Sequence, residues 1–223
     1  IMIELKNITK IYDLNINNKV TALNDINLKF NEGELIVLKG SSGSGKSTIL
    51  SLVAALSKPT MGEVIVDNKR ISKLPDNFAS LYRRENIGFI FQKYNLIPTL
   101  SVKENILLPL VPNNPNEDEC NSKLNIVLEQ FNISNKKDTI VKNLSGGEQQ
   151  RVAISRALIN NPKIIIADEP TANLDEKLSL DFIDMLRQLK SQNKTIVVAT
   201  HDPLFFNLDF VDKVIEIKNG NII

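Results

Sequence analysis

The chain has 223 residues, 42% hydrophobic and 24% charged, with a formal net charge of +1, an ordinary composition for a soluble globular protein with a full core. The near-neutral balance argues against nucleic acid as the main partner, which leaves a basic surplus. A single cysteine, Cys120 in the polar stretch NEDECNSK, excludes a disulfide framework within one chain and fits a reducing compartment.

The longest apolar runs, such as ILLPLV at Ile106–Val111, fall far short of the roughly 18–20 residues that span a bilayer. No signal-peptide pattern is visible, and the chain is expected to be soluble, with any membrane part supplied by another polypeptide. Ile1, ahead of Met2, is expected to be foreign to the protein and is left out of the reading.

The N-terminus reads as strands: IELKNIT and ALNDINLKF alternate partly between apolar and polar, separated by the polar DLNINNK. GELIVLKG is a short apolar run ending at Gly40, the pattern of a buried strand entering a loop. Lys46–Ser57 reads as a helix, KPTMGE as a turn and EVIVDNKRI as a strand. A short helix over Leu74–Glu85 leads into IGFIFQ, a buried strand ending at Gln92. From Asn95 to about Asn132 the pattern is helical but broken by Pro98, Pro109, Pro112 and Pro115, and is read as a helical subdomain. Helix Ser145–Ile159, strand KIIIAD, helix Glu176–Lys190 and strand TIVVAT follow, and KVIEIKNGNII closes as a hairpin with an Asn-Gly turn. Strands alternating with helices imply a mostly parallel sheet covered by helices, with an antiparallel sheet beside it at the N-terminus.

GSSGSGKST matches G-x-x-x-x-G-K-[ST] at Gly40, Gly45, Lys46 and Ser47, with a strand before it and a helix after it. Gly40, Gly43 and Gly45 let the N–H groups of Gly40, Ser41, Ser42, Gly43, Ser44, Gly45 and Thr48 face phosphate oxygens, and the helix start adds its positive dipole end. Lys46 offers a point charge to the β- and γ-phosphates and Ser47 a hydroxyl to Mg²⁺.

IIIADE, Ile164–Glu169, is an apolar strand ending in two acids that point to opposite faces. Asp168 suits Mg²⁺; Glu169, at the strand exit, suits polarising a water against the γ-phosphate. His201, the one histidine, follows TIVVAT, and Gln92 ends IGFIFQ. Both are therefore expected at the strand edge where open parallel sheets bind ligands. His201 is assigned a γ-phosphate contact, and Gln92 a contact to Mg²⁺ or the attacking water. Taken alone, His201 reads as a structural histidine and Gln92 as an ordinary strand-end polar residue. LSGGEQQR, Leu144–Arg151, is a second Ser-Gly-Gly turn opening a helix; Ser145 with Glu148 three residues on also makes a capping box.

In this order, the phosphate loop, Gln92, LSGGEQ, IIIADEPTANLD and His201 resemble the ATP-binding subunit of an ABC transporter over essentially the whole chain. The resemblance implies an α/β P-loop NTPase with a mostly parallel sheet core, an N-terminal antiparallel β subdomain and an inserted helical subdomain. It further implies one ABC ATPase domain over 1–223, with a RecA-like core and β subdomain at about 2–92 and 145–223 and the helical subdomain at about 93–144. Activity would be ATP hydrolysis with Mg²⁺. Two copies would sandwich two ATP molecules head to tail, with Ser145, Gly146 and Gly147 facing the γ-phosphate held by the partner copy's loop and Asp175 at the seam. Tyr12 falls where the family stacks an aromatic on adenine; read locally, a tyrosine after a strand fits core or surface packing equally.

FQKYNLIPTLSVKENILLPL resembles the lipoprotein-releasing and macrolide-exporter subgroup, with Asn95–Asn105 forming part of a groove for a membrane permease subunit. That implies a peripheral position on the cytoplasmic side of the cell membrane. The alternative is an ATP-driven regulator of a membrane partner, of the cell-division type. A DNA-repair ATPase of the same superfamily would need a long inserted coiled coil, which this chain lacks, and a translation ATPase usually carries two such domains.

Overall fold

The computed structural model describes every residue except Ile1, Ile16, Asn17 and Asn173. Strands β1 (Ile3–Asn15) and β2 (Asn18–Phe30) pair antiparallel from Ile3↔Phe30 to Asn15↔Asn18. The polar DLNINNK therefore does not separate two short strands. Apart from Ile16 and Asn17, which lie outside the described residues, it belongs to the hairpin, because backbone groups pair whatever side chains they carry. After β3 (Leu35–Lys39), helix α1 (Lys46–Val53) ends short of Ser57. Ala55 turns left-handed at φ 51°, and the N–H groups of Leu56 and Ser57 fold back onto the Ser51 carbonyl at 2.9 and 3.3 Å.

EVIVDNKRI is two strands rather than one, β4 (Met61–Val66) and β5 (Lys69–Arg70). Asp67 and Asn68 join them with φ of 46° and 59°, and these short polar side chains tolerate the left-handed region that such a hairpin turn requires. Met61 and Gly62, expected in a turn, begin β4. Helix α2 (Asp76–Asn86) runs directly into β6 (Ile87–Ile90), which stops two residues before Gln92. Between β6 and the next strand lie α3 (Val102–Leu107), a 3-10 stretch over Leu108–Asn113 that holds Pro109 and Pro112, and α4 (Glu117–Gln130). Helix α5 (Gly146–Leu158), strand β7 (Ile164–Asp168), helix α6 (Glu176–Ser191) and strand β8 (Thr195–Thr200) follow. Strands β9 (Lys213–Lys218) and β10 (Asn221–Ile222) close the chain as the expected hairpin, Asn219 and Gly220 at φ 49° and 75°.

Two sheets result. One is antiparallel, ordered β2-β1-β4-β5; the other runs β10-β9-β3-β8-β7-β6 and is parallel except for β10. The central strands are buried on both faces, which is why they read as continuous apolar runs. Their alternate residues feed two cores. Leu35, Val37, Ile165, Ala167, Ile196 and Val198 pack with residues of α3, α4, α5 and α6. Ile36, Leu38, Ile164, Ile166, Val197 and Ala199 pack with α1 and the antiparallel sheet. The fold is thus an α/β sheet core flanked by an antiparallel sheet on one side and most of the helices on the other.

The start of α5 is set by its cap. The Ser145 N–H donates to Glu148 Oε2 at 2.8 Å and the Glu148 N–H donates to Ser145 Oγ at 3.3 Å, the reciprocal box anticipated from the sequence. The Ser145 N–H, with Lys136 adding to it, holds the Glu148 carboxyl below its ordinary range. A lowered carboxyl value stabilises the fold at neutral pH, and that contribution fades as the pH falls through the lowered value. Glu148→Ala is expected to cost about 0.5–1 kcal/mol at neutral pH. Thermal unfolding repeated down to about pH 3 should show the gap to the native chain closing; a gap that widens in acid would contradict the cap.

Candidate active site

The parallel register brings the strand exits to one edge. Lys39 of β3 lies opposite Thr200 of β8, Asp168 of β7 opposite Ala199, and Ile90 of β6 opposite Ala167. Everything that follows those residues in the chain emerges on the same side of the sheet.

The loop after β3 is shaped by glycine. Gly45 sits at φ 114°, and a Cβ there would come within 2.7 Å of the Ala22 carbonyl oxygen; a Cβ on Gly40 would come within 2.3 Å of the Ile217 carbonyl oxygen. The loop is pressed between β2 and the β9–β10 hairpin, whose Gly220 N–H donates to the Ser44 carbonyl at 2.9 Å. It curls round Lys46, only 4% exposed, whose ammonium donates to the carbonyls of Gly40 at 2.7 Å and Ser41 at 3.1 Å. The same ammonium is 3.4 Å from Glu169 Oε1.

Ser47, at the start of α1, donates its hydroxyl to Asp168 Oδ1 at 3.0 Å. Burial pushes the Asp168 carboxyl above its ordinary value; the neighbouring Glu169 adds to this, while Ser47 and Lys46 oppose it. Glu169 holds φ 44°, in the left-handed region that a long side chain seldom adopts. Its N–H is tied to the Ala199 carbonyl at 2.8 Å, so the bend at the end of β7 is braced against β8. Its Oε2 meets the Thr200 hydroxyl at 3.1 Å, the His201 N–H at 3.3 Å and His201 Nδ1 at 3.0 Å.

A cleft of about 470 Å³ opens over these groups, within the size range of small-molecule sites. Of the candidate residues, Ser42–Thr48, Gln92, Glu169 and His201 line it, whereas Gly40, Ser41 and Asp168 are not among its lining residues. Val20, Thr21, Ala22, Asn219 and Gly220 line it too, and nothing in the sequence reading places them there. For Asn219 and Gly220 the Asn-Gly signal marked a turn and carried no sign of where the turn would dock. Tyr12 lies opposite Val20 in the β1–β2 hairpin with the Lys10 ammonium 4.8 Å above its ring, and it is not among the residues lining the cleft.

Ser145, Gly146 and Gly147 are elsewhere. They line a second cleft with Asp175, and no residue of it lines the first. Ser145 and Gly146 are exposed, and a Cβ on Gly146 would meet nothing within 4 Å, so this turn presents open backbone to solvent. Asp175 caps α6, its Oδ1 accepting from the Leu178 N–H at 2.8 Å.

The arrangement suits a phosphate bound with a hard cation. The glycine-bearing loop and the Lys46 ammonium meet at a helix start, and among the described residues the buried Ser44 hydroxyl has no hydrogen-bond partner. Two acids stand against one lysine, with a serine hydroxyl beside one of them, an oxygen donor set of the kind Mg²⁺ takes together with phosphates.

The family model for ABC transporters matches residues 23–172. An uncharacterized ABC transporter ATP-binding protein of Methanocaldococcus jannaschii is 41% identical over 222 residues, covering 100% of this chain and 98% of its own length. The macrolide export ATP-binding/permease protein MacB of Campylobacter jejuni is 41% identical over 222 residues, but this chain spans only 34% of its length. Among solved structures, the ATP-binding cassette MJ0796, a dimer in a post-hydrolysis state bound to ADP and Pi, superposes with a TM-score of 0.91 at 40% identity, covering 99% of this chain and 96% of that one. With the phosphate loop, the strand-exit acids and the parallel sheet in place, the chain belongs to the ABC transporter ATP-binding family.

Proposed function

We propose that this chain binds and hydrolyses Mg-ATP as one of two copies closing head to tail around two nucleotides, and so drives a separate membrane subunit of an exporter or lipoprotein-releasing type system. The observation that carries the reading is the Glu169 carboxylate, held at the strand edge beside Lys46 and His201 over a phosphate-loop cleft. In this reading Lys46 leaves the Gly40 and Ser41 carbonyls for the β- and γ-phosphates. The N–H groups of Gly40–Ser47 and of Thr48 cradle the phosphate oxygens. Ser47, Asp168 and Gln92 hold Mg²⁺, which supplies charge neutralisation. Glu169 accepts the proton of the attacking water, and His201 contacts the γ-phosphate. Tyr12 stacks on adenine from the β1–β2 hairpin.

The second cleft supports the head-to-tail pairing. An exposed serine-glycine turn at a helix start is an anion site of the same physical kind as the first, yet it opens away from the chain's own loop. Ser145, Gly146 and Gly147 would complete the partner copy's site, with Asp175 at the seam. Hydrolysis then removes the phosphate that bridges the halves, and closure and opening alternate.

A membrane partner is supported by a third cleft, lined by Arg83, Arg84, Asn95 and Arg156 over the stacked rings of Phe89 and Phe91. Arg70, Arg151 and Arg187 each pair with a carboxylate, whereas among the described residues these three do not. Arg156 instead donates to the Tyr94 and Asn95 carbonyls at 2.6 Å, fastening α5 to the segment that follows Gln92. No helix among the described residues is long and apolar enough to cross a membrane, and the proposed position is peripheral, on the cytoplasmic face.

Lys46→Ala should weaken ATP binding by about 1.5–3 kcal/mol, roughly tenfold to a hundredfold. Titration with labelled ATP measures it, and an unchanged affinity would remove Gly40–Ser47 as the phosphate site.

Glu169→Gln should bind Mg-ATP and hydrolyse it ~10²–10⁴-fold more slowly. With the bridging phosphate retained, it should form an ATP-dependent dimer visible by light scattering. Adding Ser145→Arg should abolish that dimer while leaving ATP binding to the single chain nearly intact. A double variant that still dimerises with ATP would sink the head-to-tail reading.

A further inference from the structure

Thr200 is wholly buried at the end of a strand whose other interior residues, Ile196–Ala199, are apolar. Its hydroxyl needs partners there, and it has two. It accepts from the Asp202 N–H at 3.0 Å and donates to Glu169 Oε2 at 3.1 Å. The direction is forced: an N–H only donates and an ionised carboxylate only accepts, so the one hydroxyl proton must point at Glu169.

The acceptor side is locked in turn. Asp202 takes the Thr171 hydroxyl on Oδ2 at 2.8 Å and the Leu204 N–H on Oδ1 at 3.0 Å. Thr171 belongs to the loop that leaves β7 and Asp202 to the one that leaves β8, so the chain Thr171–Asp202–Thr200–Glu169 ties the two strand exits together.

The Glu169 backbone is already fixed by its N–H bond to Ala199, but the side chain has three torsions left to set. Its present donors are not equivalent. Lys46 and the His201 ring are the groups assigned above to the nucleotide phosphates, and the His201 side chain is 67% exposed. When they turn to the phosphates, the Thr200 hydroxyl remains as the buried side-chain donor to Glu169, joined by the His201 N–H.

We propose that Thr200 is a positioning residue for ATP hydrolysis: it pins Oε2 of Glu169 so that Oε1 faces the water that attacks the γ-phosphate. This rests on the reading of Glu169 as the general base. A positioning donor acts on the chemical step and leaves nucleotide binding to the phosphate loop.

The test is steady-state Mg-ATP hydrolysis by Thr200→Val, which keeps the size and β-branch and loses only the hydroxyl, beside Thr200→Ser, which keeps the donor. Thr200→Val should lose about tenfold in kcat, the worth of one charge-assisted hydrogen bond, with KM within about twofold. Thr200→Ser should recover to within about threefold. In a Glu169→Gln background, Thr200→Val should cause no further loss, because the residue acts through Glu169. If Val at this position does not give folded protein by thermal unfolding, Thr200→Cys, with its weak S–H donor, is read against Thr200→Ser in the same way.

A Thr200→Val chain with native kcat, or one losing equally with and without the Glu169 carboxylate, overturns the positioning role while Glu169 stands. A Glu169→Gln chain that hydrolyses at the native rate overturns the general base, and the Thr200 role with it.

Discussion

The parallel hydrogen-bond register of β3, β8 and β7 is the constraint on which the site depends. It lines up Lys39 with Thr200 and Asp168 with Ala199, so three chain segments far apart in sequence leave the sheet at one edge. Inside the sheet a charged group would be cut off from water and partners at a cost of several kcal/mol. The strands are therefore apolar along their length and turn polar only where they emerge. Asp168, Glu169, Thr200 and His201 occupy that margin, and the glycine-bearing loop after Lys39 occupies it from the third strand.

The same edge is electrostatically unfinished. Lys46 is buried with its ammonium on two backbone carbonyls and near one carboxylate, while burial pushes Asp168 upward against the Ser47 bond. Among the described residues the Ser44 hydroxyl has no partner, and the acids outnumber the base. Under the proposed function, a phosphate anion on the loop and a divalent cation held by Ser47 and Asp168 would answer both imbalances together.

The helices carry the second half of the design. Starts of α5 and α6 meet at one cleft, where Gly147 is packed so closely on Leu178 that an added Cβ would come within 2.8 Å of it. Capping by Ser145 and Asp175 holds both starts in place while the turn ahead of α5 stays open to solvent. A cap satisfies N–H groups within its own chain and does not exclude an anion approaching the same helix end, which is how one serine serves local stability and a proposed partner site at once.

The sequence by itself determined the phosphate loop, the apolar strands ending in Asp168 and Thr200, the Ser145 cap and the terminal Asn-Gly hairpin. Each of these is a local pattern, in which glycine spacing, period or cap chemistry acts over a few residues. Where the local signal is ambiguous, as with Asp67–Asn68 inside EVIVDNKRI, the pattern reads as unbroken strand across a turn, because two αL-tolerant residues without glycine mark a hairpin only weakly. Only the tertiary structure decided that Val20–Ala22 and Asn219–Gly220 wall the cleft, that Thr171 reaches Asp202, and that Thr200 spends its single proton on Glu169. Those contacts join segments whose separation in the chain carries no trace of their distance in space. They exist because the order β9-β3-β8-β7-β6 and its register place the ends side by side, and that order follows from burying both faces of the whole sheet at once rather than from any one stretch of residues.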